Sequence, residues 1–221
     1  MSNMFTLSPL ERAFAALRKD LIHEDGPRIS TMRNYSFAIV PYRPQDEFKT
    51  RQLTQRLTTG LRESGWVVLT ISLQKLLLER IRRQGDEWVA RVMATEARLA
   101  ARSPDRGLKY LKGKLLPLIE ESSDLPGLAS DVAALIQDHA DREPSTIGRT
   151  VVFIGRAGAL HPFFRSSALL RHLDGKTRNI PIVLLYPGEQ TGPTSLSFMG
   201  LLDADNDYRP RIYDSRRSSG S

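Results

Sequence analysis

Short apolar runs alternating with amphipathic helical stretches constrain this chain more than any other feature. Residues 35–40 (YSFAIV) are aromatic and β-branched and stop at Pro41, so they read as a buried strand running into a loop. From Asp46 to Ser64 the leucines at 53, 57 and 61 fall on one helical face, and Gly65 stands where a helix C-terminal glycine belongs. Residues 66–71 (WVVLTI) read as a second buried strand. Strand, helix, strand is the βαβ unit of a parallel sheet, whose crossover is nearly always right-handed. The pattern returns at 150–155 (TVVFIG) and 180–186 (IPIVLLY), with 162–173 as the helix between them. Residues 196–201 and 211–213 read as short edge strands.

Elsewhere the periodicity is helical. Ser8-Pro9-Leu10-Glu11 is an N-cap serine, a proline at the first helical position and a capping-box glutamate. Leu10, Phe14, Leu17 and Leu21 follow on one stripe, and Gly26-Pro27 stops the run. From 72 to 139 breaks at Gly85, Ser103-Pro104 and 125–127 leave room for four helices. Leu108, Leu111, Leu115 and Ile119 mark the buried face of the third, and Leu128, Val132, Leu135 and Ile136 that of the fourth.

The 221 residues, 40% hydrophobic and 26% charged, suffice for one core. The expectation is a single α/β domain over 1–214, a mostly parallel sheet flanked by helices with an all-helical insert at 72–143. Its outline is Rossmann-like or P-loop-like without Walker motifs, and 215–221 reads as a disordered polar tail. The chain has no cysteine, which excludes a disulfide framework, thiolate metal sites and a cysteine nucleophile. With no apolar run of the roughly 18 residues that span a membrane and no secretory leader, a cytoplasmic, membrane-free protein is expected.

Ligands of doubly wound sheets bind beyond the strand ends, so those loops carry the candidate chemistry. The loop Pro41-Tyr42-Arg43-Pro44 lacks the glycines and lysine of a Walker loop and has two prolines that cannot donate. The loop Gly155-Arg156-Ala157-Gly158 has no third glycine at dinucleotide-binding spacing, and reads as a tight turn or a degenerate nucleotide site. Asp46 and Glu47 beside the first loop are candidate Mg²⁺ carboxylates of a nuclease, or the acidic first turn of a helix. Arg156, His161, Arg165, Arg171 and His172 make 155–173 basic, either an anion site or a solvated helix face. Asp203, Asp205, Asp207 and Asp214 imitate half of a calcium loop, but Tyr208 stands where that loop needs glycine, so they read as an Asx-rich turn. No histidine pair has metal-ligand spacing and no nucleophile elbow exists, so no metal, cofactor or catalytic residue is assigned.

A formal net charge of +7, with 32 Lys and Arg against 25 Asp and Glu, is distributed unevenly. Residues 75–114 hold eleven basic and five acidic side chains, whereas 120–143 hold seven acidic and one basic. Arg98, Arg102, Arg106 and Lys109 follow helical spacing and are candidate contacts to DNA or to a partner protein, although Ser103-Pro104 interrupts the helix that would align them.

The ordered motifs resemble the BrxB family of BREX bacteriophage-exclusion systems. Residues 153–166 (FIGRAGALHPFFRS), with Gly155, Gly158, Pro162 and Arg165, are similar to its pattern of strand, glycine pair, aromatic-proline step and arginine. Tyr186-Pro187-Gly188 looks like its Tyr-Pro-Gly signature, followed by 196–200 and by Tyr208-Arg209, while Pro41, Tyr42 and Glu47 match its first strand-end motif. The resemblance runs over about 36–213. It implies a defence-island protein working beside an ATPase, an adenine methyltransferase and an alkaline-phosphatase-like partner, PglZ. The expected role is a non-catalytic assembly factor docking on PglZ or the ATPase, in which the glycines and Pro187 shape loops and Tyr42, Arg165, Tyr186 and Arg209 cluster at the strand ends. A degenerate nucleotide-binding or nuclease-like enzyme and a direct DNA binder are the alternatives.

Overall fold

The computed structural model describes residues 7–29, 35–122, 125–192, 195–201 and 210–214. Tyr208, Arg209, Asp203, Asp205, Asp207 and the tail 215–221 therefore lie outside the described residues. In chain order the elements are α1 (Pro9–Leu21), β1 (Phe37–Tyr42), α2 (Glu47–Glu63), β2 (Val67–Ser72), α3 (Leu73–Arg82), α4 (Asp86–Ala100), α5 (Pro104–Ile119), α6 (Leu128–Arg142), β3 (Thr150–Gly155), α7 (Ser166–Leu173), β4 (Ile182–Gln190), β5 (Leu196–Phe198) and β6 (Arg211–Ile212). Four helices do fill the insert, separated at the breaks read from the sequence.

The sheet runs β2-β3-β4-β1-β6, all parallel, and β5 pairs antiparallel with the far end of β4. The first strand-helix-strand unit thus joins non-neighbours, because β3 and β4 occupy the space between β1 and β2. Strand β1 also extends two residues beyond the expected stop and contains Pro41. The C=O of Ile39 accepts from Tyr213 N–H on the β6 side at 2.9 Å. Two residues on, Pro41 faces the same side, and a proline has no N–H for the next ladder bond. There β6 ends, so the proline closes one side of the strand without interrupting its pairing to β4.

Helices cover both faces, which is why β1, β3 and most of β4 are continuously buried rather than alternating. On one face α1 and α2 pack over Ala38, Val40, Val151, Phe153 and Val183. On the other, α3, α6 and α7 pack over Phe37, Ile39, Val152, Ile154, Ile182 and Leu184. The capping box of α1 is present, and hydrogen bonding to Ser8 holds the Glu11 carboxyl below its ordinary pKa. Leu17 and Leu21 are fully buried, each worth about 1.5–3 kcal/mol of transfer free energy. Helix α2 ends as the Gly65 signal foretold: Gly65 N–H bonds Arg62 C=O and Trp66 N–H bonds Leu61 C=O, a Schellman pair closed by a residue at φ +79°.

The insert is divided by packing. Helices α3 and α6 belong to the sheet core through Leu73, Leu77, Leu128, Val132 and Ile136. Arg80 ties them together, donating to both Asp131 oxygens at 2.5 and 2.9 Å and to the C=O groups of Pro126 and Gly127 at 2.6 and 2.7 Å. Helices α4 and α5 pair with each other and bury only Val92, Gly107 and Ile119. Two leucines assigned to buried faces are consequently exposed: Leu108 on the outer side of α5 and Leu135 on that of α6. Helix α7 starts at Ser166, not at residue 162. A 3-10 turn at Ala157–Leu160 and a cis His161–Pro162 bond precede it, and the intervening residues bury Leu160 and Phe164.

Candidate functional site

At the C-terminal ends of β1 and β3, Tyr42, Glu47, Arg156 and Gln74 form one connected polar network. Strand β1 delivers Tyr42, buried under α2, and a single 3-10 turn at Pro44–Asp46 places Glu47 in the first turn of α2, where the helix dipole favours a carboxylate. The Tyr42 hydroxyl donates to Glu47 Oε2. Arg156 takes a left-handed backbone (φ 64°) as the chain leaves β3, and its side chain crosses the strand ends. Its Nη1 lies 3.1 Å from Glu47 Oε1, while Nε and Nη2 donate to Gln74 Oε1 at 3.1 and 2.9 Å. Arg51, one helical turn past Glu47, adds a second cation 3.9 Å from Oε1.

Electrostatics make this a holding network. Burial first, then the hydrogen bond to the Glu47 carboxylate, push the Tyr42 phenol well above its ordinary pKa, so it keeps its proton through the neutral range. The network joins α2, β1, α3 and the β3 loop, four elements far apart in sequence.

A cavity of about 320 Å³ lies beside it between α2 and the edge strand β2, lined in part by Thr50, Thr54, Thr58, Thr70, Leu185 and Arg156. The three α2 threonines donate to their own helix, to the C=O groups of Asp46, Thr50 and Gln55 at 2.8–2.9 Å. Their hydroxyls thus serve the backbone, and the polar groups facing the cavity are chiefly those at its Arg156 end. Among the described residues no three His, Asp or Glu side chains gather as metal ligands.

Of the four residues expected to cluster at the strand ends, the three described ones are not brought together. Tyr42 points to the α1/α2 face. Tyr186, one register step away, points to the opposite face, donates to Leu196 C=O at 3.3 Å and stacks edge-on against Phe198. Tyr186 pairs with Pro41, and adjacent residues of a strand face opposite sides of the sheet, so Tyr42 and Tyr186 diverge. Arg165 is exposed at the start of α7, beside a groove toward α5. Pro187 and Gly188 are not a loop but part of β4, where β5 joins: a Cβ on Gly188 would stand 2.2 Å from Ser197 O. Gly155 ends β3, Gly158 lies in the following 3-10 turn against Pro187, and Pro162 is partly buried behind it. Arg98 lies in the last turn of α4 and Arg106 and Lys109 on α5, with Arg102 between, so the break at Ser103 divides the basic stripe over two helices.

Reading the loops alone pairs Glu47 with Asp46 as metal ligands and Arg156 with an anion; across 109 positions they pair with each other. Gln74 and Arg51 had no distinguishing signal in the sequence. The regular Thr50, Thr54, Thr58 spacing was visible, since three β-branched polar residues four apart fall on one helix face.

A parallel sheet covered on both faces, with a helical hairpin set outside it and a tyrosine-carboxylate-arginine network in place of a glycine-rich phosphate loop, defines an α/β protein of the doubly wound class. Residues 69–212 match the family model of BREX protein BrxB. The chain belongs to the BrxB family, and is thereby a component of a BREX phage-exclusion system whose partners are other proteins of that system. The matched span runs from β2 to β6, and leaves the strand-end motif of Pro41, Tyr42 and Glu47 outside it. No curated protein and no solved structure matches the chain. No helix among the described residues is long and apolar enough to cross a membrane.

Proposed function

We propose that this protein is a cytoplasmic, non-catalytic assembly component of its BREX system, docking onto the PglZ-like phosphatase-fold protein or the ATPase. The observation that carries this reading is the α4–α5 hairpin. It contributes little to the sheet core, yet exposes Met93 and Leu108 among Arg91, Arg98, Arg102, Arg106, Lys109, Lys112 and Lys114. Leu108 does not stand alone: with Leu116, Pro162 and Phe163 it lines one groove, and an exposed apolar patch rimmed by charged residues suits an interaction surface. The strand-end network supports the same reading, because its carboxylate, phenol and guanidinium are taken up by one another. Co-purification from cells carrying the whole system is the test. A stable complex with PglZ or the ATPase is expected, and a protein recovered alone would refute the proposal.

The cavity beside Arg156 favours a second reading, a degenerate nucleotide-binding or nuclease-like site. Thermal-shift titration with nucleotides and Mg²⁺ separates the two. A ligand at a hundredfold its Kd raises stability by about 2.7 kcal/mol, readily seen as a higher Tm, whereas the assembly reading expects no shift.

A further inference from the structure

We infer that the groove between α5 and residues 162–165 is the docking site for an acidic amphipathic helix of another protein; this rests on, and deepens, the assembly reading above. The groove encloses about 460 Å³ and is walled on one side by α5 and on the other by Pro162, Phe163 and Arg165. The α5 wall consists of Asp105, Leu108, Lys109, Lys112, Leu116 and Glu120. The first five fall on one face of α5 and Glu120 is its C-cap, so this wall is about 22 Å long at 1.5 Å per residue.

Two properties select the occupant. Leu108 is 45% exposed, and with Leu116, Pro162 and Phe163 it makes an apolar floor open to solvent. The acidic groups Asp105 and Glu120 stand at the two ends of the α5 wall, and every charged side chain between them is a lysine. An occupant must therefore carry apolar residues along one stripe and carboxylates beside it, over about fifteen residues if helical. A nucleic-acid backbone offers charge but nothing for the leucine and phenylalanine floor, so the apolar lining decides for protein. The groove continues into a second of about 520 Å³, which shares Glu120 and Arg165 and adds Phe164, Leu169, Glu121, Arg171, Asp174 and Lys176. The apolar lining thus extends along α7 while the charges there balance, and the basic selection rests on Lys109, Lys112 and Arg165.

The test uses the full chain and a fluorescein-labelled fifteen-residue synthetic peptide with leucines at i, i+3, i+4 and i+7 and glutamates between them. Saturable binding by anisotropy is expected. Leu108→Glu and Lys112→Glu should each weaken it at least tenfold, Arg56→Glu on the outer side of α2 should leave it unchanged, and circular dichroism should report an intact fold, since all three positions are exposed. No binding, equal binding of a lysine-for-glutamate peptide, or indifference to Leu108→Glu and Lys112→Glu would overturn the inference. So would a twenty-base-pair duplex that displaces the peptide through the same two residues, which would assign the face to nucleic acid. In cells carrying the whole system, both groove variants should lose the complex that the unaltered chain forms. A complex that survives both variants refutes the groove and leaves the assembly reading standing. An unaltered chain that forms no complex refutes that reading, and this inference with it.

Discussion

Tyr42 illustrates how one side chain links burial, charge and pH. It is buried and donates to a carboxylate that Arg156 also holds. Tyr42→Phe keeps the packing and removes the donor, and should cost about 1.5 kcal/mol in urea denaturation at neutral pH, the low end for a hydrogen bond to a charged acceptor. The sign of its pH dependence follows from the raised phenol pKa. The folded state keeps a proton that the unfolded chain begins to lose near the ordinary tyrosine value of 10.0, so this contribution is complete below that pH and declines above it. The stability gap between the parent and Tyr42→Phe should narrow from pH 8 to pH 11; a gap that widens would contradict the assignment. Gly188 is the residue-scale counterpart in β4. With Ser197 O at 2.2 Å from any added Cβ, Gly188→Ala must displace β5, and a loss of about 1–3 kcal/mol is expected, measured as a lower urea midpoint.

Among the elements, α3 and α6 depend on one arginine. The Arg80 side chain is 12% exposed, bidentate to Asp131 and bonded to two carbonyls at the N-terminal end of α6. A lysine carries the charge but cannot reproduce the planar fork. Arg80→Lys should therefore recover little of the roughly 2 kcal/mol expected to be lost in Arg80→Ala, a figure below that for a fully buried pair because Asp131 is partly solvated. Equal stability of Arg80→Lys and the parent by thermal melting would show that charge alone suffices. At the start of α1, Ser8→Ala removes the N-cap and should cost about 1 kcal/mol by the same measurement.

For the whole molecule, the division of the insert implies uneven stability. Strands β1 and β3 are wholly buried between helical layers, whereas α4 and most of α5 pack chiefly on each other, and only the end of α5, through Leu115, Leu118 and Ile119, reaches the sheet core. Hydrogen exchange should show β1, β3 and β4 protected to the level of global unfolding and 86–116 exchanging earlier as one unit. Equal protection of α4 and β3 would refute that division. Much of this architecture was legible in the sequence, because the signals are local: the capping box at Ser8, the glycine at 65, the breaks at 85, 103 and 126, and the burial-driven apolar runs of the strands. The sequence by itself determined where most helices and strands lie, apart from residues 162–165 and the continuation of β4 through Pro187 and Gly188, and that the strands lie in a mostly parallel sheet. Only the tertiary structure decided that β3 and β4 fill the gap between β1 and β2, that Tyr42 and Tyr186 face opposite ways, and that Arg156 meets Glu47. It also decided that α5 faces residues 162–165. Periodicity encodes how a segment presents its own faces; which remote segment covers each face depends on strand pairing and on burying both sides of the sheet at once, and neither has a local signature.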